Sequence, residues 1–332
     1  MEIILLTTVI FAMIITLISL PGWIKRAKQC GISGKDMNKP GSLEEVAEAG
    51  GICPLVGFIF GVLVYIAIKT FYIQAPEFVL EIFALLVIFL IAGFMGFADD
   101  ILGWKIGLTK TMRLILLAFA SLPLLVINAS NIGGNPTSLG FVYPLILIIL
   151  GVVGASSTFN FLAGWNGLET SQGILIISAL SLVAYLTGNA WLAIIGFILT
   201  GSLLVFYLFN KYPAKVFPGN VLTYPVGAFI AVMAILGHME LIAIFFFLPY
   251  ILETILKARG KLKKESFGKP NSDWSMDMPY DKIYGLEHLA ILILKKVKPS
   301  KKVYEKDVVY LINSFQILII LIGFIIFKVK IF

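Results

Sequence analysis

Charge is scarce in this sequence. Of its 332 residues, 14% are Asp, Glu, Lys or Arg, while 59% are hydrophobic and the mean hydropathy is +0.97. A soluble chain of this length needs a polar surface over its core, and too little polarity is present to build one. The same figures exclude a disordered chain and a collagen-like repeat. Two cysteines, Cys30 and Cys53, give no framework of bridges. His238 and His288 have no second His or Cys at metal-ligand spacing, which argues against zinc. No internal repeat and no broken helix shows in the pattern, which weighs against a transporter made of inverted halves. What remains is a polytopic membrane protein.

A spanning helix needs about 20 mostly apolar residues. Ten such stretches are expected, at 2–24, 51–71, 78–97, 111–129, 141–159, 172–187, 189–209, 221–238, 240–257 and 309–328. The fold class is therefore all-α, with residues 1–332 as one transmembrane domain and 258–308 as a basic loop. Within that loop, Gly285 to Leu294 reads as an amphipathic interfacial helix, with His288 a polar residue at the interface. The first stretch is read as a retained span, since Met1-Glu2 offers no basic leader and Lys25, Arg26 and Lys28 follow the apolar run.

The basic residues sort by side. Connections after odd-numbered spans carry 23 of the 26 Lys and Arg, 13 of them in the stretch 257–308. By the positive-inside rule these connections are cytoplasmic and both termini lie outside the cell membrane. The net charge of +7 thus reports topology and an anionic ligand, and no nucleic-acid partner is expected.

Reactive polar residues gather on that same side. Gly96-Phe97-Ala98-Asp99-Asp100 ends the third span. Adjacent carboxylates repel unless a proton or cation lies between them, and hard oxygens suit Mg²⁺. A solvated helix end is the bland alternative. The stretch Asn160 to Glu169 has no Lys or Arg but carries Asn160, Asn166, Glu169, Gly164 and Gly167, which a capping turn would also explain. Val216-Phe217-Pro218-Gly219-Asn220 leads into the eighth span, with Asn220 either a helix cap or part of a phosphate-binding helix start. Arg113, Lys110 and Lys105 can neutralise phosphate or simply obey the positive-inside rule. Together these groups suit transfer of a phosphorylated group at a membrane face.

In combination the motifs resemble the polyprenyl-phosphate N-acetylhexosamine-1-phosphate transferases. The similarity runs from about residue 25 to 250 in order, and includes Asp36-Met37-Asn38-Lys39-Pro40 and Glu48-Ala49-Gly50-Gly51 of the first loop. Asn166-Gly167-Leu168-Glu169 is similar to the dolichyl-phosphate GlcNAc-1-phosphotransferase branch. The resemblance implies UDP-GlcNAc and a dolichyl or other polyprenyl phosphate as substrates, Mg²⁺ (or Mn²⁺) as cofactor, and the first lipid-linked step of N-glycosylation. A homodimer is compatible with it. It implies catalytic roles for Asp99, Asp100, Asn160 and Arg113. It places Asp100, Asn160 and Asn220 at the metal and Lys39, Asn166, Glu169, Gly219 and Lys269 at substrate. The family's usual Asp is Asn220 here, its earlier amide is Ser157, and its Arg- and His-rich sugar-recognition stretch is not reproduced, with Lys269 the nearest basic residue. Three alternatives stay open: the same reaction on another UDP-acetamido sugar, a cation- or proton-coupled transporter, and an inactive scaffold.

Overall fold

The structure, a computed structural model, describes residues 2–41, 45–103, 107–131 and 142–327. Lys105, among the expected phosphate neutralisers, and both chain ends lie outside the described residues. In chain order, α1 (Glu2–Gln29) leads through a small antiparallel pair, β1 (Ser33–Lys35) and β2 (Glu45–Ala47), into α2 (Ile52–Ala67), which continues as a wider turn over Ile68–Tyr72. Next come α3 (Val79–Leu102), α4 (Lys110–Ala120), α5 (Leu122–Asn131), α6 (Val142–Phe159), α7 (Leu168–Leu186), α8 (Ala190–Asn210) and α9 (Asn220–Leu236). The chain finishes with α10 (Glu240–Phe246), α11 (Leu248–Arg259), a second short pair β3 (Lys269–Pro270) and β4 (Met276–Asp277), α12 (Leu286–Val297) and α13 (Glu305–Ile326).

Among the described residues, each of the ten expected apolar stretches lies mostly on helix, but the count of ten spans is not reproduced. By length and apolarity seven described segments can cross a membrane, and the bent pair α10–α11 makes an eighth. The described apolar parts of α6 and α9, Leu145–Phe159 and Asn220–Leu236, are shorter. The expected span 111–129 is two helices meeting at Ser121, whose hydroxyl donates back to the Ala118 carbonyl at 2.6 Å. Pro123 has no N–H to give an unbroken helix, so it sits in the first turn of the next one. The expected span 240–257 is broken too, contrary to the sequence reading. Its halves meet at 58°, and Pro249 opens the second. Thr187-Gly188-Asn189 forms a short turn between α7 and α8, with Gly188 at φ +86°.

Packing beneath the functional face is aromatic and then small. Phe58 of α2, Phe89 of α3 and Phe229 of α9 form a buried triad with ring centroids 4.6–6.0 Å apart. One turn or two above it, Gly96 lets α3 and α9 nearly touch: a methyl group there would lie 2.2 Å from the Asn220 carbonyl oxygen. Lipid-embedded helices gain from such close backbone approach. That contact delivers the end of α3 to the start of α9.

Candidate active site

Asp99 and Asp100 occupy the last turn of α3, which Gly103 ends at φ +76°. A helix C-terminus is a poor place for carboxylates because its carbonyls carry partial negative charge. Here another helix compensates. The free N–H groups of α9 point at Asp100: Asn220 N–H donates to Oδ1 at 2.8 Å and Val221 N–H to Oδ2 at 3.0 Å. Asp100 is thus the N-terminal cap of a helix far away in sequence. Asp99 is buried and accepts three hydrogen bonds, from Leu108 N–H at 2.8 Å, the Arg113 guanidinium at 3.0 Å and Asn220 Nδ2 at 2.6 Å. Arg113 also donates to the Tyr224 hydroxyl at 3.3 Å. Thr223, one turn into α9, donates to Asn160 Oδ1 at 3.0 Å and so ties the end of α6 to the same cluster.

Gly219 makes this arrangement possible. Its backbone sits at φ +71°, ψ 175°, a region open essentially to glycine alone, and a side chain there would strike Asp100 Oδ2 at 2.3 Å. Its place in the structure is close packing between Asp100 and Ala49.

A second cluster adjoins through the loop 160–167. Asn166 is buried; its N–H donates to Glu305 Oε1 at 2.8 Å and its amide NH₂ to Asp36 Oδ2 at 3.0 Å and Glu305 Oε2 at 3.4 Å. Lys39 pairs with Asp36 at 2.7 Å and lies over the Tyr212 ring, 5.1 Å from its centroid. Asn38 spans two loops, donating to the Gly164 carbonyl at 2.9 Å and accepting from Gly268 N–H at 3.1 Å. Lys269, the next residue, is exposed in β3. Glu169 is buried at the start of α7 and accepts from Gly164 N–H at 2.8 Å, so its visible work is to close its own loop.

A third group holds the last connection down. Trp165 Nε1 donates to the Ser266 carbonyl at 3.1 Å. Below it Glu253, Lys257, Glu287 and His288 are all buried, which corrects the interfacial placement of His288. Lys257 lies 3.6 Å from Glu253, and Glu253 also accepts Leu286 N–H at 2.6 Å. Burial, reinforced by the Glu253 charge, holds the Glu287 carboxyl well above its usual range. Burial pushes His288 down to about 4, with its Nδ1 accepting from Tyr284 N–H at 3.3 Å. The one sequence signal of this buried face is the i, i+4 spacing of Glu253 and Lys257, which puts the two charges on one side of a helix.

The structure therefore brings Asp99, Asp100, Arg113, Asn160, Gly219 and Asn220 into one cluster and Lys39, Asn166 and Glu169 into an adjoining one. Tyr224, Thr223, Asp36, Asn38 and Glu305 join them without having been singled out as site residues. Glu305 was missed because the last span was expected to begin at 309, four residues too late.

The donor set of the first cluster fits Mg²⁺. Among the described residues no three Asp, Glu, His or Cys converge, as a protein-only cage would require. Magnesium instead takes one or two carboxylates and completes its shell with water and phosphate oxygens. Asp100 and the amide oxygens of Asn160 and Asn220 are hard donors of the kind that would suit such a shell, while Asp99 already accepts from three donors.

A family profile described as glycosyl transferase family 4 matches residues 82–238, which run from α3 to the end of α9. The chain is 34% identical over 272 residues to a protein of Sulfolobus acidocaldarius, covering 80% of this chain and 81% of that one. It is 33% identical over 296 residues to a protein of Saccharolobus solfataricus, covering 86% and 88%. Both carry the provisional name UDP-N-acetylglucosamine–dolichyl-phosphate N-acetylglucosaminephosphotransferase. A phospho-N-acetylmuramoyl-pentapeptide-transferase of Shouchella clausii is 32% identical over 236 residues, covering 67% and 72%. With the matched segment centred on the Asp99–Asn220 cluster, and with relatives alike along most of their length, the chain belongs to glycosyl transferase family 4.

Proposed function

We propose that this protein transfers GlcNAc-1-phosphate from UDP-GlcNAc to dolichyl phosphate or a similar polyprenyl phosphate, giving GlcNAc-diphospho-lipid and UMP. The observation that carries this reading is the convergence of two carboxylates, an arginine and two asparagines at the meeting of α3, α6 and α9, in a chain like proteins named for that activity. An oxygen of the lipid phosphate attacks the β-phosphorus of the nucleotide sugar. The bond from that phosphorus to the bridging oxygen breaks, and UMP leaves with the electron pair.

The acceptor phosphate is largely ionised near neutral pH, so alignment counts for more than proton removal. Arg113 neutralises phosphate from its position on Asp99, and Lys39 and Asn166 take the nucleotide side. Asp100, Asn160 and Asn220 would hold Mg²⁺, which when bound supplies Lewis-acid neutralisation of the diphosphate. Asp99 orients Arg113 and the Asn220 amide. The active-site loops face the cytoplasm and both termini the outside of the cell membrane, following the distribution of Lys and Arg. The product would be the first lipid-linked intermediate of N-glycosylation.

A panel of nucleotide sugars tests the assignment. Purified protein with dolichyl phosphate and Mg²⁺ is expected to release UMP from UDP-GlcNAc faster than from UDP-GalNAc or UDP-glucose. Faster turnover of another acetamido sugar would replace the donor, and release of UDP in place of UMP would overturn the reaction class.

A further inference from the structure

A hollow of about 490 Å³ lies between the end of α1, β2 and the connection after α8. Lys25, Lys28 and Lys215 line it, with Glu45, Pro21 and Phe209. Lys25 and Lys28 share one side of the last turns of α1, three residues apart. Lys215 arrives from the other wall and lies over the Phe209 ring, 5.9 Å from its centroid. None of the three lysines forms an ion pair among the described residues. Glu45 is the one acidic group lining the hollow, and its carboxylate is engaged by the Ser33 hydroxyl. The lining therefore keeps an excess of positive charge.

The hollow is also continuous with an apolar track. Ile18, Leu17 and Ile14 lie three, four and seven residues before Pro21, on the same face of α1, and are 70%, 49% and 46% exposed. A cationic basin at the end of a span, opening onto an exposed aliphatic stripe, matches an amphiphile with a phosphate head and a hydrocarbon tail. That stripe is the lipid-facing surface of a candidate span, so an acyl chain is already beside the basin, whereas a free anion would meet the lysines alone.

We infer that this hollow is a binding site for an anionic phospholipid of the surrounding membrane, with its head-group phosphate among Lys25, Lys28 and Lys215 and one acyl chain along α1. The wall it would press on leads to the site. Ala214 and Lys215 are followed by Val216, which bridges Ala47, and Phe217 N–H donates to the Ala47 carbonyl at 2.7 Å. Two residues further on come Gly219 and Asn220. A bound lipid would brace this strap from behind, outside the reacting cluster.

Native mass spectrometry of the full chain, titrated in detergent with dioleoylphosphatidylglycerol or dioleoylphosphatidylcholine, tests this. The wild type is expected to hold one phosphatidylglycerol at a concentration at least about tenfold below that needed for phosphatidylcholine. The triple variant Lys25→Gln/Lys28→Gln/Lys215→Gln should lose that preference, while Lys261→Gln/Lys263→Gln, at exposed lysines elsewhere, should keep it. All three substituted lysines are exposed, so thermal unfolding is expected to be unchanged; if it is not, Lys215→Gln alone should give a partial loss of preference. Equal preference in the triple variant and the wild type would overturn the site. So would equal loss in the control variant, which would mean diffuse surface attraction, or displacement of the lipid by millimolar inorganic phosphate.

Discussion

At the scale of single residues, Asn220 is the most informative position. Its amide NH₂ sits 2.6 Å from Asp99 Oδ2, where an aspartate would place a second carboxylate against the first. Such a pair repels unless a proton or cation joins it. Asn220→Asp is therefore expected to lower stability in EDTA by about 1.5–3 kcal/mol, the worth of a hydrogen bond to a charged group. Mg²⁺ should then raise the variant's thermal midpoint more than the wild type's and half-activate it at a lower concentration. An equal Mg²⁺ response in both proteins would remove Asn220 from the metal. Gly219 makes a different demand, since only glycine fits its backbone angles and its contact with Asp100. Gly219→Ala should cost about 1–3 kcal/mol in a thermal or denaturant titration and lose most turnover. A variant as stable and active as the wild type would show that the start of α9 is not held as described.

At the scale of elements, the site depends on how closely α3 and α9 approach. Gly96→Ala puts a methyl group 2.2 Å from a backbone oxygen that cannot rotate away. Overpacking of this kind costs about 1–3 kcal/mol, and here the displaced group is the helix start that Asp100 caps. Turnover should fall further than stability alone explains, measured as kcat at a temperature where the variant is fully folded. Unchanged kcat would mean that the α3–α9 contact is merely structural. The α11–α12 unit gives a pH test. His288 is depressed to about 4 in the folded protein against an ordinary 6.5, so protonation favours unfolding. Its contribution to stability is present above about pH 6.5 and is lost as pH falls toward 4. Glu287 works in the opposite direction, because its raised carboxyl favours the folded state as pH falls, and Glu253 and Lys257 face the same pocket. The difference in thermal midpoint between wild type and His288→Gln isolates the histidine. It should shrink between pH 6.5 and 4, and a constant difference would contradict the burial of a neutral imidazole.

At the scale of the whole molecule, what was legible in the sequence is what depends on composition and local spacing. Ten apolar stretches, the Lys and Arg bias and the motifs at 96–100, 160–169 and 216–220 can all be read without knowing which helices touch. The break at Phe247 was missed because Leu248-Pro249 lies inside an unbroken apolar run, where hydropathy carries no information about direction. The joining of Glu305 to Asn166, 139 residues apart, and of Asp100 to the start of α9 depends on tertiary packing that no local pattern encodes. His288 was placed at the interface because its neighbours are amphipathic, yet α12 turns that face inward onto α11. The sum of these contacts is one connected polar face supplied by α3, α6, α9 and the loops around them. The claim that this face performs phospho-sugar transfer is tested most directly by product stoichiometry in the wild type, Asp99→Asn and Asp100→Asn, each confirmed folded, with UDP-GlcNAc, dolichyl phosphate and Mg²⁺. UMP and GlcNAc-diphospho-lipid should form in equal amounts in the wild type, vanish with EDTA, and be absent in both variants. Wild-type turnover in both variants, or UMP released without lipid product, would contradict it.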